Sequence, residues 1–540
     1  MSFLHTYCRL LPVVVLPAIA AACSLGSAMA GGGAARSILE RALRNHGGSV
    51  AIRESGGLTL ELSGERVMVD QSRRADPPWD REPSAVRILF DGPNGRWLWE
   101  SISHYPGLGA FGSRRVFTDT GGFEIDVLRT GHGIEVMPVD AEGAARARLE
   151  IGRFIPGVLL EQALASPGGT SLVGRRESPE GRVDVVRYTD HRGREVRLLI
   201  QSATSSLVGF EMHRPDTVWG DAFDSVAFTG LRRTAGLGLP ERRAEFTNGA
   251  LVRELNYHTS VGEPGLDSLF AVPPGYEQPG HGTAHHHMET SDGEVITALA
   301  PGAWIDSRSG AVVAEFEDHL VVFDCPNDFA TSQATLDGLG RRFPEKPVKY
   351  LVASHTHPDH CGGARAYYQA HVAVIAAEGH TRFHQPLADA RHTIAPDPYN
   401  RLAHPPRLEP LAPGARRVLE DRTQRVELFN VGPSPHSEET IIALLPTAGL
   451  LWQVDLFLAP MTGPMTPARP VSGWLARQLD SLKLDFDRII DTHMGSLYSR
   501  AQFDESLRLA GYRPLRELSA IGYRLSEAHP MARQPTADSR

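Results

Sequence analysis

The side chains best equipped for chemistry are gathered in Ser354-His355-Thr356-His357-Pro358-Asp359-His360, where four metal-ligating residues fall within six positions. They follow an apolar run at 348–353 that reads as a buried strand ending in a loop. Histidines two apart at a strand end point the same way and can share one ion. An aspartate and a histidine further round the turn can reach a second ion beside it. The spacing is that of half a two-metal site. Later strand ends must supply the remainder, and three residues have that local grammar: His436 after the run at 426–431, Asp455 after 450–454, and His493 after 488–492. In a chain with 23 histidines any one of these is ordinary. Seven ligands at successive strand ends are not.

His-x-His-x-Asp-His, then a lone His, an Asp and a final His in that order resembles the metallo-β-lactamase superfamily over roughly residues 293–509. The flanking segments 315–324 and 481–490 resemble a bacterial group of these hydrolases with no settled substrate. The resemblance implies that His355, His357 and His436 hold one metal, that Asp359, His360 and His493 hold the other, and that Asp455 bridges them. Asp324 matches a recurrent acidic position that supports the metal site from behind, with a plain helix N-cap as the alternative. The implied cofactor is a pair of divalent ions, with zinc expected. A hydroxide between them would cleave an ester, thioester, lactone or similar bond, with Asp359 and Asp455 as the catalytic carboxylates. A mononuclear iron oxygenase of the persulfide-oxidising type, using His355, His436 and Asp455, is the rival enzyme. The complete second ligand set stands against it.

Some relatives are disfavoured by spacing. The short interval from Asp455 to His493 leaves no room for the domain that the nuclease branch inserts, and no flavin-binding domain follows. Asp455 stands where some true β-lactamases use cysteine; glyoxalase-like and lactonase-like members carry the aspartate. The pattern departs from the common one at Ser354 for threonine, at Val454 for glycine and at Thr492-His493-Met494-Gly495 for Gly-His-Gly. Tyr498 is near enough in sequence to His493 to hold an oxyanion, or it is a packed aromatic.

The implied fold class is α+β, a C-terminal αββα metallo-β-lactamase sandwich preceded by a mainly antiparallel β domain. At 540 residues the chain exceeds the usual single core. The expected organisation is a signal peptide at 1–30, a β-rich domain at 34–275, a linker at 276–292, the catalytic domain at 293–512 and a tail at 513–540. A net charge of −9 gives no basic footprint for nucleic acid, so a small-molecule substrate is expected. Arg9, the short apolar run at 10–22 and Ala28-Met29-Ala30 read as a secretory signal, giving a periplasmic or secreted protein without a transmembrane span. The rival reading acylates Cys23 as a lipid anchor. Cleavage after Ala30 leaves only Cys325 and Cys361, whose pairing is open, so no disulfide framework is expected.

In the first half, a helix capped by Ser37 and ended by Gly47-Gly48 precedes a succession of strands, with one further helix at 158–165. This predicts one curved sheet or an incomplete barrel. It either binds an apolar ligand, which is a third functional reading, or packs on the catalytic domain and shapes its entrance. His285-His286-His287 reads as a solvated part of the linker rather than a metal site. In the catalytic half a helix is expected at 332–343. The Pro- and His-rich stretch 380–413 reads as a long loop whose His384, His392 and His404 touch substrate or solvent.

Overall fold

The computed structural model describes residues 31–512 apart from 93, 130–132, 179–180, 262–266, 278–294, 402–403, 461–462 and 493–494. The signal segment, Cys23, the triple histidine, the tail and His493 therefore lie outside the described residues, as does most of the expected linker. Tyr276 and Glu277 still belong to the first half: the Tyr276 hydroxyl donates to the Asp126 carbonyl (2.6 Å) and Glu277 bridges to Glu135.

A 13-stranded antiparallel sheet makes up most of the first half. Its first strand, Leu58–Val67, lies at the centre, because on one side it pairs with Arg81–Asp91 and on the other with the last strand, Ala250–Val261. Two meanders therefore spread from one seam. The alternation Leu58, Leu60, Leu62 puts apolar side chains on one face. There they meet Ile151 and Val158 from two helices, Ala141–Gly152 and Pro156–Leu164, and Phe154 from the turn between them. A third helix, Gly31–His46, buries Ala35, Ile38, Leu39 and Ala42 against Val186, Leu198 and Phe210 on the same sheet.

Two helical expectations need correction. Ser37 does not cap the first helix but lies inside it: Ala35 is buried in the core, so packing extends the helix backwards past the local signal. The helix Ala141–Gly152 in the β-rich half is one the sequence reading did not include; it is started by Asp140, whose carboxylate accepts from Gly143 N at 2.6 Å.

The second half is two sheets face to face. One has seven strands in chain order from Ile296–Ala300 to Arg407–Leu411, antiparallel through Leu320–Phe323 and then parallel through Val348–Val352 and Ala373–Ala377. The other has six, from Arg416–Glu420 to Ser496–Ser499, with Leu450–Gln453 parallel to Arg488–Asp491. Phe323, Val352 and Ile375 interleave with Leu428, Ile441 and Trp452 between them; the Phe323 and Trp452 ring centroids are 4.9 Å apart. Helices cover both outer faces: Phe329–Arg342 and Ala364–Gln369 on the first sheet, Pro470–Leu482 and Arg500–Leu509 on the second. That is an αββα sandwich.

The expected long loop at 380–413 is largely ordered structure. It forms a helix at Thr381–Asp389 and the edge strand Arg407–Leu411, because its apolar residues Leu387, Tyr399 and Leu411 find burial that a bare loop would not offer.

Candidate metal centre

The ligand loop leaves the strand Val348–Val352 where the two sheets open. Its start is pinned by Asp324, at the end of the neighbouring strand, whose Oδ1 accepts from Ser354 N (2.7 Å) and whose Oδ2 accepts from Ser354 Oγ (2.9 Å). Pro358 then begins the short helix Pro358–Cys361, with its preset φ and no N–H to waste. His355, His357, His436 and Asp455 come together with one ligand atom each, all within 4.8 Å of one another, and all four side chains are buried. His360 adjoins them, its Nε2 3.0 Å from Asp455 Oδ2 and 3.7 Å from Asp359 Oδ2. Asp455 Oδ2 therefore stands between two groups, also facing His436 Nε2 at 3.2 Å and His355 Nε2 at 3.5 Å. Six of the seven expected ligands converge, and the seventh, His493, lies outside the described residues.

The outer nitrogen of each histidine has an oxygen partner. His357 Nε2 donates to the Ser72 carbonyl and His436 Nδ1 to the Pro106 carbonyl, both at 2.9 Å. His360 Nδ1 faces Asp324 Oδ2 at 3.2 Å. The Ser354 hydroxyl has one proton, which goes to the Asp324 carboxylate, so at 3.0 Å it must accept from His355 Nδ1. In the neutral rings of His355 and His357 these partners leave the inner nitrogens without a proton. His355 Nε2 and His357 Nδ1 then present lone pairs to each other at 2.9 Å, beside a carboxylate. Two acceptors that close repel unless a cation lies between, and the donor set of imidazoles and carboxylate suits zinc.

The electrostatics agree. Burial, and then the neighbouring His357, His360 and His436, holds His355 well below the usual imidazole range. Burial and His436 lower His357 to about 4, so both are neutral near pH 7. At the other end the field is negative: burial lowers His360, but Asp359, Asp455 and Asp324 outweigh it and raise the ring well above its ordinary value. Burial likewise raises Asp455, and His360 and His436 reverse that, holding it well below the carboxylate range. Burial raises Asp324. Asp324 and Asp455 both adopt left-handed backbone, φ 59° and 60°, a conformation aspartate tolerates better than most residues.

Of the two roles for Asp324, the contact with His360 and Ser354 is the one present, since Asp328 caps the following helix. Tyr498 is a packed aromatic whose hydroxyl donates to the Ala459 carbonyl (2.8 Å). His384 meets the Tyr368 hydroxyl at 2.6 Å, His392 lies beside Asp397, and His404 stacks on His371. None of the three is in the ligand cluster. Cys325 and Cys361 are both free and buried. Two departures from the common pattern have local reasons. Ser354 Oγ links Asp324 to His355, and the Thr492 hydroxyl accepts from Trp452 Nε1 at 2.6 Å.

That the first half packs on the catalytic half was one of the two expectations for it; the individual groups it brings to the ligands were missed. Besides Ser72 and Pro106, Gln71 Nε2 donates to Asp359 Oδ1 at 2.8 Å, across 288 positions. The sheet also walls a cavity of about 820 Å³ that reaches Pro358. Its lining mixes aromatic side chains such as Trp99, Phe154 and Phe210 with arginines such as Arg66, Arg243 and Arg253, so the surface is not purely apolar.

Residues 309–448 match the sequence profile of the Metallo-beta-lactamase superfamily. A linear primary-alkylsulfatase from Pseudomonas sp. is 31% identical over 87 residues, 16% of this chain and 12% of that protein, so the chain spans only a small part of that relative. Among solved structures, the FIM-1 metallo-β-lactamase of Pseudomonas aeruginosa in its mono-zinc form is 18% identical, with 40% of this chain and 94% of that one aligned and a TM-score of 0.29. A metallo-β-lactamase from Pontibacter korlensis is 15% identical over 40% and 98%, with a TM-score of 0.31. The matched profile and the His/Asp cluster agree: the segment 309–448 is similar to the metallo-β-lactamase superfamily, and His355, His357, His436 and Asp455 form a group fit to hold a metal ion.

Proposed function

We propose that this chain is an exported binuclear hydrolase, with zinc the favoured metal, acting on an ester, thioester, lactone or similar bond of a small molecule. The observation that carries the reading is Asp455 Oδ2, which lies within 3.0–3.5 Å of ligand nitrogens from both groups, as a bridging carboxylate must. His355, His357 and His436 would hold one ion, and Asp359, His360 and His493 the other. Divalent ions held by these residues would supply a bound water of lowered pKa and a Lewis acid for the bond to be broken. Asp359 is the ligand with an open side, about a third exposed, while Gln71 fixes its other oxygen. It can therefore orient the attacking water and meet substrate. Metal content by mass spectrometry on chain purified without chelator tests the reading. About two divalent ions per chain supports it; one iron with oxygen uptake would replace it.

A second reading narrows the bond to a sulfate ester of a linear primary alcohol. It is favoured by the alkylsulfatase relative and by the cavity beside Pro358, where arginines and aromatic rings suit an anionic head and an apolar body. Sulfate release from alkyl sulfates, compared with turnover of lactones and thioesters, separates the two. Export rests on the amino-terminal pattern. Among the described residues no helix is long and apolar enough to cross a membrane. Recovery of mature chain beginning at Gly31 from the periplasmic fraction would support export.

A further inference from the structure

We propose that the β-rich half is a working part of the metal centre: two turns of its sheet, at 69–80 and 105–109, set the tautomer and position of ligands carried by the other half. The inference rests on the metal-site reading above and adds the positioning groups to it. The Ser72 carbonyl accepts a hydrogen bond from His357 Nε2 and the Pro106 carbonyl one from His436 Nδ1, each at 2.9 Å and each buried. Gln71 holds Asp359 at 2.8 Å. Three ligands, drawn from both metal groups, thus depend on atoms 285–330 positions away in the chain. An outer partner that fixes which nitrogen is protonated also fixes which nitrogen binds metal.

Both turns are clamped where they reach the site. Ser72 Oγ donates to Asp80 Oδ2 (2.9 Å) and accepts from Asp80 N (3.0 Å), which closes the first turn on itself. The Arg73 carbonyl accepts from Glu438 N at 2.8 Å, and Arg382 pairs with Asp76 at 2.6 Å, tying it to the catalytic half. In the second turn Leu108 is buried among Phe429, Ile442 and Phe457. Gly107, at φ 74°, lies so close to the His436 loop that a Cβ would stand 2.5 Å from Pro435 C and 2.8 Å from His436 N. Only glycine permits that approach, and the approach is what brings the Pro106 carbonyl to the ring.

The test uses the full chain with Gly107→Ala and Gln71→Leu, and Asp140→Ala as a control, a helix cap of the first half whose carboxylate accepts from Gly143 N and not from the ligand residues. Two readouts are taken: zinc affinity by chelator competition, and the tautomers of ring nitrogens by nitrogen-15 NMR of metal-free protein. Gly107→Ala is expected to weaken one zinc ion about 10–100-fold and to give His436 a mixed tautomer, while His357 keeps its own. Gln71→Leu, which needs no backbone shift, is expected to weaken the other ion by a similar factor. Unchanged affinities and tautomers in both variants, with wild-type chain binding two ions, would overturn the proposal. A wild-type chain that binds no zinc overturns the metal reading instead, and the tautomers of Gly107→Ala then still decide the positioning role.

Discussion

Asp455 brings the two sides of the site together and does so from an unusual backbone conformation. Its φ of 60° means that Asp455→Asn removes the charge while keeping a residue that tolerates left-handed backbone, whereas Asp455→Ala adds strain of about 1 kcal/mol. Both variants are expected to lower bound metal from about two ions per chain toward one and to abolish hydrolysis. Metal-free Asp455→Ala should also unfold at lower urea than Asp455→Asn. A second residue-level prediction concerns acid. Burial lowers His384 to about 4; burial together with His384, His357 and Arg382 lowers His380 to about 3, against an ordinary 6.5. Neither belongs to the ligand cluster, and both ring nitrogens of His380 are buried without a hydrogen-bond partner. The unfolded chain takes up these protons first. Stability contributed by the neutral rings is therefore full above pH 6.5 and falls by about 1.4 kcal/mol per residue per pH unit as pH drops toward 4. His380→Phe should shrink the loss between pH 7 and pH 5, read as the shift in urea midpoint of metal-free protein. An unchanged shift would mean that His380 is already protonated in the folded chain.

At the scale of elements, strand ends made the site legible. Each expected ligand follows an apolar run, and the local arrangement of the first loop needs only the strand Val348–Val352 and Pro358 to form. The Ser72 and Pro106 carbonyls left no such mark, because every residue has a carbonyl and only the fold decides which one meets a histidine. The helix Ala141–Gly152 was hidden for another reason: Gly143 and Gly152 dilute its helical pattern, and its buried face needs the sheet to exist. The departure at Thr492 shows how an element absorbs an unusual residue. Its hydroxyl satisfies Trp452 Nε1 in the core between the parallel strands Leu450–Gln453 and Arg488–Asp491. Thr492→Val keeps the shape and orphans the indole, which should cost about 1–3 kcal/mol in denaturant unfolding.

For the molecule as a whole, the large-scale division was readable from strand density and from the order of ligands, and it reappears as one antiparallel sheet followed by an αββα sandwich. How the two parts serve each other was not readable, since the contacts join positions hundreds of residues apart. Asp221 adds to them, accepting from Thr393 N and Ile394 N of the catalytic half. Metal bound only by the folded chain should stabilise it through mass action, by about 4 kcal/mol at a thousandfold excess over Kd. Calorimetry with and without chelator is expected to show the shift in both halves together; a first half whose melting ignores chelator would mean that docking is independent of metal. The Pro106 and Ser72 carbonyls also bear on descent. A recombination event with its crossover in residues 278–294 would transmit every expected ligand to a new partner domain and leave behind two of the four groups that face the histidines' outer nitrogens. The stretch of chain that supplies the site and its supporting groups is therefore longer than the segment that matches the superfamily profile.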